Sequence, residues 1–400
     1  MTAFGVFWGI FMLIIMLGSG AGLEHGVTEG MGSFATNSMF MWTQRTTIPY
    51  KGFPRGRNFM FDNNDIKALR DNIPEIKYLA PRLQGWSSGD GTNNTIRKEK
   101  TGAFTILGDY PDWNKIDPNE MIKGRFINEI DIEEKRKVAV IGTRVEEILF
   151  EKDEDPVGEY IRIQGVYFQV VGVFRPLNTN ISFGGEKEQS IYIPFTTLQK
   201  TYNYGNIVGW FSITSKDNIP VSQIEEKAIK LMQHRHSVHP DDQEAIGHFN
   251  LENEFNQMSG LFKGIAGLIW IVGIGTLMAG VIGISNIMLV IVKERTQEIG
   301  IQRALGATPM NVITQIITES VLLTSIAGYI GLVAGVALVE GINYAMVTFG
   351  AESDMFKRPE VDFQVAILAL SILIISGAVA GLVPARRAVR IKPIDALRDE

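Results

Sequence analysis

A charged segment at residues 293–309, KERTQEIGIQRALGATP, sits between two long apolar runs and restricts what this chain can fold into. Charge of that density does not rest in hydrocarbon, so the segment must lie in water at a membrane face. The flanking runs belong to a set of uncharged stretches at residues 1–23, 264–292, 320–339 and 363–385. A spanning helix needs about 20 apolar residues, and every one of these stretches meets that length. Bulk averages conceal the pattern: the chain is 45% hydrophobic with a net charge of −6, values of an ordinary soluble protein. An even number of spans puts both termini on one side of the membrane.

Lys and Arg near the spans set the orientation. Residues 293–309 carry Lys293, Arg295 and Arg303, and the tail at 386–400 carries Arg386, Arg387, Arg390, Lys392 and Arg398. These are read as cytoplasmic faces. The loop at 340–362 has only Lys357 and Arg358 among its carboxylates, so it and the long polar stretch at 24–251 are read as facing outward. A removable leader is not favoured for the first run, whose apolar stretch is too long for a typical leader core. No basic stretch precedes that run either.

Residues 24–251 have the length, aromatic content and turn signals of a domain with its own core. Helices are expected over 64–72 and 221–233, and strands over 137–141, 160–163, 167–174, 191–193 and 210–214, with Gln164-Gly165 as a hairpin turn. The pattern is α+β in two lobes, with a strand-rich lobe at about 118–195 inserted into an α+β lobe. The second apolar run is too long for lipid alone, about 43 Å at 1.5 Å per residue. Its upstream residues Phe255, Met258, Leu261 and Phe262 recur at helical spacing. We therefore expect a stalk at 252–292 leading into the second span, in one continuous helix from about 252 to 303. The fold class is an α-helical membrane protein with spans at 1–23, within 252–292, at 310–339 and at 363–385.

Small residues four apart let helix backbones approach closely, and Gly5/Gly9, Gly18/Gly22, Gly331/Gly335 and Gly377/Gly381 have that spacing. They are expected to pack helices together within a dimer. At the charged segment, Gly306 can end a helix, Thr308 can cap the next one, and Pro309 suits its first position. Charge alone reads the segment as a basic anchor. Glu319 reads as part of a polar face with Asn311, Thr314, Gln315 and Thr318.

Several chemistries find no support. Cysteine is absent, which excludes disulfides and thiolate catalysis, and no G-x-x-x-x-G-K-[ST] phosphate loop occurs. His234, His236 and His239, followed by Asp241 and Asp242, could suggest a metal enzyme, but the stretch is a polar connector without two-turn helical ligand geometry. No metal site and no catalytic residue is assigned. The loop at 178–186, with Phe183, reads as a flexible connection.

The chain resembles the ABC-transporter permeases of the MacB and FtsX type. The likeness rests on TAFGVFWGIFML at 2–13, Gly124-Arg125-Phe126, VAVIG at 138–142, DPVG at 155–158 and FQVVGVF at 168–174. It continues through residues 293–307 and through PARRA at 384–388 to KPIDALR at 392–398. The resemblance implies a homodimer, or a pairing with a related permease, in the bacterial inner membrane, with a periplasmic domain between the first two spans. It implies mechanotransmission from ABC ATPase subunits, ATP and Mg being bound by that partner and no cofactor by this chain. On this reading Glu298, Ile299, Gly300, Ile301, Arg303, Ala304, Leu305, Gly306 and Ala307 form the ATPase-coupling segment. Ile301, Ala304 and Leu305 give it an apolar ridge, and Glu298 and Arg303 its register. Arg386, Arg387 and Arg390 would touch lipid headgroups and the ATPase.

MacB-like relatives expel drugs, peptides or lipid-linked cargo through a periplasmic adaptor and an outer-membrane channel, which are the expected partners besides membrane lipid. Nucleic acid is not expected as a partner. An FtsX-like regulator of envelope hydrolases or a lipoprotein-release permease is the alternative. Two features depart from the family pattern. MacB carries its ATPase on the same chain, whereas these residues hold no phosphate loop, and Met1 falls almost at the lipid boundary where relatives have an amphipathic segment, so either a late start or a trimmed N-terminus is expected.

Overall fold

The computed structural model describes residues 3–31, 34–177, 185–349 and 356–390 and divides into two compact units. Its helices are α1 (Ala3–Met31), α2 (Asn63–Asn72), α3 (Trp113–Ile116), α4 (Glu129–Glu133), α5 (Thr143–Leu149), α6 (Phe195–Thr201), α7 (Val221–Arg235), α8 (Leu251–Glu294), α9 (Thr296–Ala304), α10 (Pro309–Phe349) and α11 (Phe363–Val389). The strands are β1 (Ser38–Thr43), β2 (Phe61–Asp62), β3 (Ile76–Trp86), β4 (Thr95–Arg97), β5 (Lys100–Gly102), β6 (Thr105–Asp109), β7 (Asn119–Gly124), β8 (Val138–Gly142), β9 (Tyr160–Ile163), β10 (Val166–Pro176), β11 (Ser190–Pro194), β12 (Ile207–Val208), β13 (Trp210–Ser215) and β14 (Ile246–Asn250).

One unit, residues 29–258, is the α+β domain. Its main sheet runs β14-β1-β13-β3-β6-β11-β8-β10-β9-β4-β5, with β7 beside β10. Two pairs in it are parallel, β10 with β8 and β11 with β6. The strands VAVIG and SIYIP are buried along their whole length, as uninterrupted apolar runs at a sheet centre should be. Between β9 and β10 the turn residues Gln164 (φ 43°) and Gly165 (φ 87°) both take positive φ, the conformation that matches the twist of a two-residue hairpin. The expected strands are all present.

The lobe division is drawn differently from the sequence expectation. β3 pairs with β13 through Ile76–Arg82 residues and with β6 through Leu83, Gln84 and Trp86, so one strand belongs to both halves. The strand-rich half also begins earlier, because β4 pairs with β9. Turn signals are local and do not announce a strand shared between halves.

The other unit, residues 1–28 and 259–400, holds membrane-type helices. Among the described residues, four helices are long and apolar enough to cross a bilayer, in α1, α8, α10 and α11. All four outrun the uncharged stretches: α1 continues to Met31, α8 runs from Leu251 to Glu294, α10 continues to Phe349 and α11 to Val389. Absence of charge marks what can lie in lipid, not where helical hydrogen bonding stops. Inside this unit Val6, Ile10, Leu13 and Ile14 of α1 pack with Leu277, Met288, Ile316 and Leu373.

The eight glycines meet helices or connectors of this same chain. A Cβ on Gly5 would lie 3.4 Å from Gly280, one on Gly9 3.4 Å from Thr276, one on Gly18 2.8 Å from Val339 and one on Gly22 2.9 Å from Phe356. Gly331 and Gly335 face Phe7 and Ile14, and Gly377 and Gly381 face Thr324 and Ile317. These close approaches lie within one chain, where the glycines act as helix-packing positions.

Candidate coupling site

The charged segment folds as a discrete short helix. α8 is unbroken for 44 residues and stops at Glu294; Arg295 (φ −91°, ψ 18°) leaves the helical region and α9 starts at Thr296. The expected single helix from 252 to 303 is therefore interrupted at Arg295. Its amide still donates to Ile291 (2.9 Å), its carbonyl accepts from Ile299 (3.0 Å), and the Thr296 hydroxyl bonds to the Lys293 carbonyl (2.7 Å). The bend thus leaves these groups satisfied.

The other end of α9 is closed by a Schellman motif. Gly306 takes φ +100°, its amide donates to Arg303 (3.2 Å), and the Ala307 amide donates to Gln302 (3.0 Å). A side chain with a Cβ would be strained there, which explains the glycine. Thr308 then caps α10, its hydroxyl accepting from the Asn311 amide (3.3 Å), with Pro309 as the first helical residue.

Polar contacts hold α9 at both ends. Arg295 Nη1 lies 3.1 Å from Glu319 Oε1 on α10, and Arg303 Nη1 donates to the Val389 carbonyl at the end of α11 (2.7 Å). Ile299 and Gly300 are buried. On the opposite side Glu298 and Ala304 are exposed, as are Ile301 (46%) and Leu305 (85%). Positions three and four apart share a helix face, so Glu298, Ile301 and Leu305 form one outward ridge.

Two parts of the expected site are thereby reassigned. Ile299 and Gly300 belong to the interior, and the Arg303 guanidinium reaches the backbone of its own chain. The Arg295–Glu319 and Arg303–Val389 contacts escaped sequence reading because their partners are 24 and 86 residues apart. Arg386 and Arg387 are exposed on the last turn of α11 and Arg390 follows it, whereas Lys392 and Arg398 lie outside the described residues. Phe183 also lies outside them.

In the α+β domain the histidines diverge. His236 Nε2 sits 2.7 Å from Asp65 Oδ2, while His239 packs its ring edge-on against Tyr50. Among the described residues no three metal-binding side chains converge. Burial raises the Asp65 carboxyl, but bonds from His236, Arg235 and the Asp62 amide outweigh it and leave the group below its ordinary value. Deeper in the domain Arg82 grips Asp109 beneath the Trp113 ring, and Lys187 pairs with Asp117 at 2.8 Å. Burial pushes both of these carboxyls up and the Lys187 amine down. Both pairs are enclosed and read as internal ties, Arg82–Asp109 between β3 and β6 and Lys187–Asp117 between the turn before β11 and the end of α3.

Comparison with known proteins follows this division of the chain. The model of the MacB-like periplasmic core domain matches residues 1–231, more than half of the chain, and that of the FtsX-like permease C-terminal region matches residues 270–393. A macrolide export ATP-binding/permease protein MacB of Chlorobaculum tepidum is 30% identical over 413 residues, covering 100% of this chain and 59% of that protein. A pyoverdine export ATP-binding/permease protein PvdT of Pseudomonas savastanoi pv. phaseolicola is 28% identical over 409 residues, covering 100% of this chain and 57% of its own length. The chain thus spans less than two thirds of these relatives. The crystal structure of the periplasmic region of MacB from Actinobacillus actinomycetemcomitans aligns with TM-score 0.45 at 16% identity, over 57% of this chain and 95% of that one. With a periplasmic-core match over residues 1–231 and a permease match over 270–393, the chain belongs to the MacB/FtsX-type ABC transporter permeases.

Proposed function

We propose that this chain is the permease subunit of an exporter, driven by an ABC ATPase that lies outside residues 1–400. One observation carries the reading: a short capped helix presents Ile301 and Leu305 to water while its other face and both ends are fastened to the membrane helices. Exposed apolar side chains on an anchored helix form a surface for a protein partner. The absence of a phosphate loop in residues 1–400 makes that partner the source of ATP energy. The printed names of the relatives, macrolide and pyoverdine export proteins, favour export over signalling.

On this reading the chain lies in the bacterial inner membrane with both termini and α9 in the cytoplasm and the α+β domain in the periplasm. It acts as a homodimer, and α8 carries motion between the ATPase and the periplasmic side. A periplasmic adaptor and an outer-membrane channel complete the route. The chain itself does no bond-making chemistry; Arg386, Arg387 and Arg390 meet anionic headgroups at about 1 kcal/mol each.

Replacing Ile301 and Leu305 together by Asp tests the docking role. The expected outcome is at least a tenfold loss of transport-linked ATP hydrolysis in proteoliposomes, with the folded permease still present in the membrane. Wild-type coupling by that double variant would remove α9 from the mechanism.

A further inference from the structure

One stripe of α10 carries two open clefts in succession. The first, of about 470 Å³, is polar and is lined by Asn311, Thr314, Gln315, Thr318, Glu319 and Leu322. The second, of about 400 Å³, is apolar and lies between α10 and α11, lined by Ser325, Ile326, Tyr329, Ile330, Leu370 and Ile374. Residues 311, 315, 318, 322, 325 and 329 recur at three- and four-residue steps, so both clefts open on the same helix face. The change from polar to apolar occurs at Glu319 and Ser320, where the uncharged run of α10 begins. From Glu319 to Ile330 the helix rises about 16 Å, the hydrocarbon depth of one leaflet.

Beside the polar cleft lies a charge pair: Glu319 lines the cleft itself, and Arg295 lines a smaller neighbouring cleft that shares Gln315 and Glu319 with it. Arg295 and Glu319 pair at 3.1 Å, yet their side chains remain 49% and 38% exposed, so each keeps an open edge. A guanidinium beside a carboxylate, with amide and hydroxyl groups around them, is complementary to a phosphate joined to an ammonium. We propose that this groove binds one phospholipid with an amine headgroup. Its phosphate lies toward Arg295, its ammonium toward Glu319, and an acyl chain runs past Leu322 and Ile326 to Tyr329 and Ile374.

A lipid suits the stripe better than a second copy of the chain. Helices pack in membranes through small residues, and along the groove Gly328, Gly331 and Gly335 of α10 are already closed by Leu373, Phe7 and Ile14, while Gly341, which has open space, lies about three turns beyond Tyr329. The groove face instead exposes the bulky Ile326, Tyr329 and Ile330. This proposal does not rest on the coupling reading, since it requires only that α10 and α11 cross a bilayer.

The test uses the full chain in nanodiscs of equal phosphatidylethanolamine and phosphatidylglycerol, moved into detergent, with retained lipid counted per chain by mass spectrometry. We expect about one phosphatidylethanolamine per chain, at least tenfold over phosphatidylglycerol. Glu319→Gln should abolish the headgroup preference, and Ile326→Trp, which fills the apolar half, should lower retention about tenfold without lowering the melting temperature. Chain-free glycerophosphoethanolamine at the same concentration should not displace the lipid; if it does, the apolar half is not part of the site. Equal retention of both lipids by the unaltered chain overturns the proposal. Because the chain has no cysteine, Tyr329→Cys adds a unique thiol; efficient disulfide cross-linking between copies at that position would show a second copy in the groove and overturn it as well.

Discussion

Asp65 ties distant parts of the α+β domain together. Fully buried, it accepts from the Asp62 amide (2.8 Å), Arg235 Nε (2.6 Å) and His236 Nε2 (2.7 Å), so one carboxylate completes the capping box of α2 and holds the end of α7. Its folded-state value is lowered, so its contribution is present above the ordinary carboxylate value of about 4 and is lost as pH falls through the lower folded value. Asp65→Asn should cost about 2 kcal/mol near neutral pH and flatten the acid limb of stability. Denaturant unfolding of the whole protein, followed by tryptophan fluorescence from about pH 7 to about pH 3, reads this directly. An acid limb unchanged in the variant would show that Asp65 is not the linked group. Sequence inspection misses this hub because its partners lie 170 and 171 residues away, and it groups His236 instead with His234 and His239, which share only spacing.

Elements were more legible than their ends and contacts. Alternation, apolar runs and turn residues are local signals, and they locate α2, α7, β8, β9, β10, β11 and β13 to within a few residues. The Gly306, Thr308 and Pro309 signals likewise place the close of α9 and the start of α10. The stop at Glu294 was not legible, since KERT contains neither proline nor glycine and the Arg295 amide and carbonyl keep helix-like partners in Ile291 and Ile299. The glycine pairs were legible as close-packing positions, but spacing alone does not say which helix they meet. A Cβ on Gly331 would run into the Phe7 carbonyl of α1, whereas one on Gly275 has open space. Gly331→Leu should therefore destabilise the helices by about 1–3 kcal/mol, while Gly275→Ala should be neutral or slightly stabilising. Thermal melts in detergent check the contrast, and equal effects of the two changes would contradict the assigned packing.

At the scale of the molecule, charge segregation revealed a membrane protein with a large domain between its first two spans, even though composition alone would not. What sequence left open was long-range: one strand shared by both halves of the sheet, and the short helix α9 fastened by its own chain at Arg295 and Arg303. That fastening is central to the functional proposal, because a push on the exposed ridge would be delivered to α8, α10 and α11 together. The most direct measurement replaces Leu305 by Cys in this otherwise cysteine-free chain and cross-links it to the ATPase with which it is co-expressed, with and without ATP. The account predicts an adduct at Leu305 whose yield changes with nucleotide, and none for Cys placed at the buried Ile299. An ATPase that couples fully to the permease yet gives no adduct at Leu305 would contradict it.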